Sequence, residues 1–220
     1  MGPDLRVLGR SPVSSLPSTV GAETAVAPPV GQDGLVGMPA ADVSVRVAWA
    51  DDAAPISAVQ VRAWREEYAG MLPAEILDGL DEQAFAARWR ESLDRPKDAR
   101  NRVLVALSRA SVRGFAVTGP AGDPDTDPLA TGEIAELVVD PDAGRQGHGS
   151  RLLQACIDTL RADRFTTAVT WLTSTDDVRR RFLTEAGWAP DGAHRELDLH
   201  GDGSTLVRQV RLHTDIGTPD

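Results

Sequence analysis

Apolar and polar positions change period several times along the chain, and each change marks an element. Val43, Val45, Val47 and Trp49 alternate with Ser44, Arg46 and Ala48, the period of a strand with one buried face. Asp51 and Asp52 ahead of Pro55 signal a helix start, and Ile56, Val59, Ala63 and Trp64 continue at helical spacing. A second helical stretch opens at Pro73, and a third carries Phe85, Trp89 and Leu93 on one stripe. Two apolar runs, 102–108 and 112–118, are joined by a short polar turn and predict a hairpin. A further strand over 134–139 ends at Asp140-Pro141. Leu152, Leu153, Cys156, Ile157 and Leu160 then form an amphipathic stripe, followed by a strand over 168–173. Val178, Phe182, Leu183 and Ala186 make the last helix face, with Gly187 as its stop. Strands near 195–199 and 206–213 flank the turn Gly201-Asp202-Gly203. This order predicts an α/β fold with helices flanking a mixed, mostly antiparallel sheet.

Two compositional breaks frame that pattern. Residues 1–41 hold Pro12, Pro17, Pro28, Pro29 and Pro39 among Gly, Ser, Ala and Val, and keep neither period, which predicts an extension without a core. One domain is expected over 42–214, with a tail over 215–220. Within the domain, the segment 119–128 contains Pro120, Pro124, Pro128, Asp123, Asp125 and Asp127. It lacks the glutamate spacing of a calcium loop and reads as an exposed, solvated connection.

Charge and cysteine content narrow the chemistry. Thirty-three acidic against 23 basic side chains give a formal charge of -10. Nucleic acid is therefore not the expected partner, since phosphate binding needs concentrated Lys and Arg, and a neutral or cationic substrate is favoured. Cys156 is alone and sits on an apolar stripe, so it reads as a small core residue. No Cys/His spacing suggests a metal. A reducing cytoplasm fits, and no membrane partner is expected, because no run approaches the ~18 apolar residues of a span. Arg6 and Arg10 are not followed by an apolar signal region.

The most informative stretch joins the strand at 136–139 to the amphipathic helix through Gly144-Arg145-Gln146-Gly147-His148-Gly149. Glycines admit a ligand close to the backbone, and the free amides and positive dipole end of the helix favour an anion such as phosphate. Arg145 and Arg151 add positive charge. A Walker loop is excluded by the missing Gly-Lys-Ser/Thr, and a dinucleotide fingerprint by Leu152 in the third glycine position. A ligand-free connection remains open on the turn alone.

With its flanks, the segment resembles the GCN5-related N-acetyltransferases. Their hallmark is a strand ending in a Val-x-Pro-like stretch, then Arg/Gln-x-x-Gly-x-Gly/Ala at a helix start. Here this is Leu137-Val138-Val139-Asp140-Pro141 and 144–149, followed by Ser150-Arg151-Leu152-Leu153. A downstream aromatic-x-x-x-x-Gly-aromatic signature is Phe182 to Gly187-Trp188. The resemblance spans residues 43–213. It implies the N-acyltransferase fold, with the 136–139 strand splayed from the 168–173 strand to leave a cofactor cleft. It also implies acetyl-CoA as cosubstrate, no metal, and an acceptor that is a small-molecule or peptide amine; a homodimer is compatible with it.

Residue roles follow from the same resemblance. Leu137, Val138 and Val139 would meet the pantetheine arm through free backbone groups. Gln146, Gly147, His148, Gly149 and Ser150 would offer amides to the pyrophosphate, with Arg145 and Arg151 nearby; His148 would contribute its amide, not its ring. Glu136, then Glu133, are the candidate bases, and Tyr68, Ser174 or water the proton donor to the leaving thiolate. Trp64 and Glu67 are expected at the acceptor pocket, although Trp64, Trp89, Trp171 and Trp188 also fit a core. Three slots depart from the family pattern. Gly144 stands where Arg or Gln is usual, Leu183 where many members carry a tyrosine acid, and Asp176 where an Asn is frequent. Leu183 and Gly144 keep a catalytically idle acyl-CoA-binding or regulatory domain in view as the alternative.

Overall fold

The computed structural model describes residues 43–198 and 206–217. Strand β1 (Val43–Val47) leads into α1 (Ala53–Glu67), α2 (Ala74–Asp78) and α3 (Glu82–Asp94). Strands β2 (Arg102–Ser108), β3 (Ser111–Pro120) and β4 (Thr131–Val139) follow. Helix α4 (His148–Ala162), β5 (Thr167–Thr173), α5 (Asp177–Glu185), β6 (Ala189–Asp198) and β7 (Leu206–Asp215) complete the chain. Helix starts are secured by side chains: Asp81 accepts from the amides of Gln83 and Ala84, and Asp176 from that of Arg179.

One seven-stranded sheet runs in the order β1-β2-β3-β4-β5-β7-β6. Every neighbouring pair is antiparallel except β4 and β5. The expected mixed sheet with flanking helices is therefore observed. One face packs on α4 and α5 through Leu104, Ala116, Ile134, Leu152, Cys156, Leu160, Leu172, Leu183 and Leu212. The opposite face packs on α1 and α3 through Ile56, Val59, Trp89, Val105, Phe115, Val117 and Val138. A third cluster, built from Val61, Trp64, Leu72, Leu77, Leu80 and Phe85, fills the space between the first three helices. The helix stripes read from the sequence thus bury against a sheet face or, for Trp64 and Phe85, between the first helices.

Three boundaries differ from expectation, each for a physical reason. Strand β4 begins at Thr131, three residues early, because Gly132 lets it press against α4. A Cβ there would stand 2.6 Å from Leu160 Cδ2 and 3.0 Å from Phe165 Cδ2. Strand β6 begins at Ala189, since an exposed edge strand containing Pro190 and Gly192 carries no alternating pattern. Residue 215 still belongs to β7, and Ile216 is core: its amide donates to Thr166 O at 2.9 Å and its carbonyl accepts from Arg161 Nε at 3.1 Å. The expected tail over 215–220 therefore starts inside the packed domain. The aspartate-rich loop is not merely solvated either. Asp125 receives both terminal nitrogens of the buried Arg211, at 2.8 and 2.6 Å. Asp123 receives Arg211 Nη1 at 3.3 Å and Trp171 Nε1 at 2.9 Å. The 1–41 extension and the Gly201-Asp202-Gly203 turn lie outside the described residues. Among the described residues no helix is long and apolar enough to cross a membrane.

Candidate functional site

The β4–α4 connection takes its shape from two residues with positive φ, Arg145 at 57° and Gly147 at 79°. Gly147 is the residue that caps α4 in the left-handed region, where a side chain would be strained and would also meet Arg151 Nη1 at 2.5 Å. The first helical bond runs from Arg151 N to Gly147 O at 3.2 Å. The amides of His148, Gly149 and Ser150 precede it and have no carbonyl within the helix to meet. Arg151 Nη1 also donates to Gln146 O, knitting the turn.

The turn is fixed from below by Asp140, which is 1% exposed. Its carboxylate receives Arg62 Nε at 3.2 Å and Nη2 at 2.7 Å from α1, and Arg113 stands 3.9 Å away. Burial alone would push this carboxyl up in pKa; the Arg62 pair outweighs it and holds Asp140 below the ordinary carboxylate range.

Beside the turn the sheet opens. Pairing of β4 with β5 covers only Thr131–Thr167, Gly132–Ala168 and Glu133–Val169. Beyond it, a bulge leaves Ala135 unmatched between Ile134–Thr118 and Glu136–Val117. Past the fork, side chains replace the missing strand partner: Thr170 Oγ1 donates to Ile134 O at 2.8 Å, and Arg179 Nη2 to Leu137 O at 3.0 Å. A gap of about 20 Å³ in the fork is lined by Glu136, Leu137, Thr170 and Arg179 among others. It lies beside a cleft of about 730 Å³ walled by Leu137, Val138, Val139, Arg145, Gly147, His148, Gly149 and Ser150. An anion cradle and an exposed strand edge thus share one cleft. That combination suits a long ligand with a phosphate at one end and an amide-bearing arm at the other.

Residues 60–188 match the profile of the Acetyltransferase (GNAT) family. The chain belongs to that family. A curated relative, the uncharacterized N-acetyltransferase YuaI of Bacillus subtilis, is 26% identical over 130 residues, covering 59% of this chain and 71% of that protein. The fold is that of solved GNAT structures. The PaiA N-acetyltransferase of Thermoplasma acidophilum, in complex with coenzyme A, superposes with a TM-score of 0.59 at 14% identity over 79% of this chain and 98% of that one. YncA of Salmonella typhimurium, with its cofactor acetyl-CoA, gives 0.59 at 18% identity over 82% and 99%.

Within this GNAT domain, the eight cleft-lining residues named above coincide with expected cofactor positions, whereas Gln146 and Arg151 do not line the cleft. Gly144 also lines the cleft beside Arg145. The His148 ring is 1% exposed, and its pKa is pushed down by burial and by the Arg151 and Arg113 charges, so it stays neutral. The expectation that Leu137 presents a free carbonyl needs correction, since Arg179 occupies it. Trp64 is corrected as well. It is 5% exposed, stacked edge-on against Phe85 at 5.3 Å and Tyr68 at 6.3 Å, and does not wall the cleft. Its large apolar ring is worth more in the α1–α3 core than at a wet surface. Trp89, Trp171 and Trp188 are buried too.

The titratable groups separate into two neighbourhoods. Glu67 walls the open cleft, reached by water yet ringed by protein, and that desolvation raises its pKa; Arg179 opposes the rise and Asp176 adds to it. Burial, then the charges of Glu67 and Glu136, push the Tyr68 phenol well above its ordinary value, with Arg179 opposing. Tyr68 therefore keeps its proton at neutral pH. Glu133 answers to different charges: its pKa is raised by burial and by Asp123, against Arg195 and Arg211. The Leu183 side chain is 3% exposed in the α4–α5 core, so the usual acid slot offers no proton. Asp176 caps α5, and the carbonyl of Ser174 accepts from Arg180. Sequence reasoning missed Arg179 and Thr173 of the cleft wall, because nothing in a single sequence distinguishes a helix-start arginine from one aimed into a fork; Asp176, read from the sequence as a departing family slot, also lines the cleft.

Proposed function

We propose that the protein moves an acetyl group from acetyl-CoA to a primary amine of a small molecule or peptide, by direct attack of the amine on the thioester. One observation carries the reading: the glycine turn and the open edge of β4 face the same cleft. The residues present fit the cosubstrate. The amides of His148, Gly149 and Ser150 would receive the pyrophosphate, with Arg145 beside them, and the β4 edge at 137–139 would receive the pantetheine arm. When bound, acetyl-CoA supplies an activated acyl group.

The chain's own residues supply the proton handling. An alkylammonium has a pKa near 10, so the amine needs a base or a water relay to lose its proton. Glu136, at the fork, is the first candidate for that base, and Glu67, whose desolvated carboxylate binds protons more avidly, borders the acceptor side. Tyr68 retains its proton and can return one to the departing sulfur. Glu133 lies with Asp123, Arg195 and Arg211 and is better suited to shaping the acceptor pocket than to the transfer. Acidic groups at Glu66, Glu67 and Glu136 favour a cationic acceptor.

The test is thiol release from acetyl-CoA across a panel of amines, with Glu136→Gln beside the wild type. Loss of a general base should lower kcat by roughly 10²–10⁴-fold while CoA still binds. Gly147→Val should abolish CoA binding measured by calorimetry; unchanged binding would overturn the cofactor site. Tight CoA binding with no release on any amine would instead identify an idle CoA-binding domain.

A further inference from the structure

The open edge of β4 carries a feature that the family slots do not anticipate. Arg179, in the first turn of α5, reaches across the fork and donates to Leu137 O at 3.0 Å. That carbonyl lies beyond the last β4–β5 pair, on the edge where an added strand must bond. The guanidinium therefore sits where the arm of the cosubstrate would need an acceptor. Its ion pair to Asp176 is 3.7 Å long, and the side chain is 31% exposed. Arg179 lines both the large cleft and the small gap in the fork, beside Glu136. Its charge is also felt at Glu67 and Tyr68, the two groups nearest the acceptor side. A guanidinium has five donors, so it can give up one acceptor and turn without losing its anchorage to α5.

We propose that Arg179 is a catalytic residue of the acyl transfer: displaced from the Leu137 carbonyl as the pantetheine arm docks, it pairs with the thiolate that leaves. The inference rests on the reading of this cleft as a CoA site. In the transfer, the bond from nitrogen to the acyl carbon forms as the carbon–sulfur bond breaks. The electron pair stays on sulfur, and the extra proton of the amine leaves to a carboxylate or water. A thiolate is a good leaving group and does not need a strong acid to depart; a nearby cation suffices. Arg179 thereby eases departure of the sulfur without an acid at the Leu183 position, which is buried in the core, and leaves Tyr68 free to protonate the thiolate afterwards.

The experiment compares CoA with desulfo-CoA, which lacks only the sulfur, by calorimetry between pH 6.5 and 10. It uses the full chain as wild type, Arg179→Ala and Arg179→Lys. A cation facing the sulfur lowers the bound thiol pKa below that of free CoA. Wild-type affinity for CoA should then rise with pH relative to desulfo-CoA, gaining about tenfold for every pH unit that separates the bound thiol pKa from the free one. Arg179→Ala should lose this gap and, freed of a competitor for Leu137 O, bind desulfo-CoA at least as well as wild type; Arg179→Lys should keep part of the gap. With an active amine, kcat should fall about a hundredfold in Arg179→Ala with little change in KM for acetyl-CoA. CoA and desulfo-CoA affinities that move in parallel in the wild type would overturn the proposal. So would an alanine variant that keeps the gap, or one that binds desulfo-CoA more weakly while matching wild type in thermal stability. A wild-type protein that shows the gap yet acetylates no amine supports the Arg179–thiolate pairing and overturns the transfer reading alone. Binding of neither ligand overturns the cofactor reading and this one with it.

Discussion

Replacing Arg62 by methionine isolates the clamp that holds the glycine turn against α1. The methionine keeps most of the apolar stem and removes the two bonds to Asp140, at 3.2 and 2.7 Å. What remains is a carboxylate 1% exposed, with Arg113 at 3.9 Å as its nearest cation and the Asp142 amide at 3.3 Å. Breaking a buried ion pair from one side costs about 3–5 kcal/mol. The Arg62 side chain is 43% exposed, and Arg113 can approach, so the loss should fall to about 2–3 kcal/mol. Set against a total stability of about 5–15 kcal/mol, that is large enough to measure by urea denaturation.

The pH dependence gives the sharper check. In the wild type the Asp140 pKa is depressed, so its contribution is present above the unfolded value near 3.9 and is lost as pH falls through the folded one. In Arg62→Met burial acts on the carboxyl with only the Asp142 amide and Arg113 to oppose it, and the folded pKa rises. The stability gap between the two proteins should therefore be full at pH 7 and shrink steadily as pH falls below about 5. Adding Asp140→Asn to both backgrounds should remove most of the gap. A difference under about 0.5 kcal/mol at pH 7, or one that ignores pH, would refute the clamp.

Two further outcomes follow from the same physical chemistry. Glu67→Gln should raise the melting temperature at pH 8 and leave it unchanged at pH 4: a carboxyl whose folded pKa is raised contributes below its unfolded value and loses that contribution as pH rises through the folded one. Equal effects at both pH values would count against desolvation as the cause. Cys156, fully buried, with its thiol pushed up to about 12 by burial, should not react with a disulfide reagent at pH 8 until the protein is denatured, whereupon one thiol per chain should titrate; reaction of the native protein at the rate of free cysteine would contradict the packing.

The parts of the fold that depend on local patterning were readable, and those that depend on distant partners were not. Helix α4 could be placed because Leu152, Leu153, Cys156 and Leu160 must all face one sheet. The N-terminal half of β4 could not, because Thr131 and Gly132 look like loop until Leu160 and Phe165 are known to press on them. The glycine turn was legible because its backbone demands are written in residue types; Gly147 at φ 79° needs a residue without a Cβ. The aspartates at 123 and 125 read as solvated because their partner, Arg211, is more than eighty residues away in sequence. Arg179 was missed for the same reason, with Leu137 forty-two positions upstream. The apolar side chain of Trp64 was consistent with either core or pocket, and only the rings of Phe85 and Tyr68 beside it decide for core.

The cleft follows from how β4 is held. Its first three residues pair in register with β5 and are pinned to α4 by the absence of a side chain at Gly132. Its far end is pinned by Asp140, whose amide donates to Arg113 O at 2.8 Å and whose carboxylate is gripped by Arg62. Between these anchors lies the Ala135 bulge, the pairing with β5 ends at Glu133, and no other strand among the described residues takes the place of β5. Buried carbonyls cannot be left bare without loss of stability, so Thr170 and Arg179 supply donors from the opposite wall. A side-chain donor is a weaker commitment than a strand: it can swing aside without breaking the sheet. The strand is therefore rigid at both ends, where position matters, and exchangeable in the middle, where a ligand must bond. In that arrangement the residue that caps the edge is also the one best placed to act on whatever displaces it.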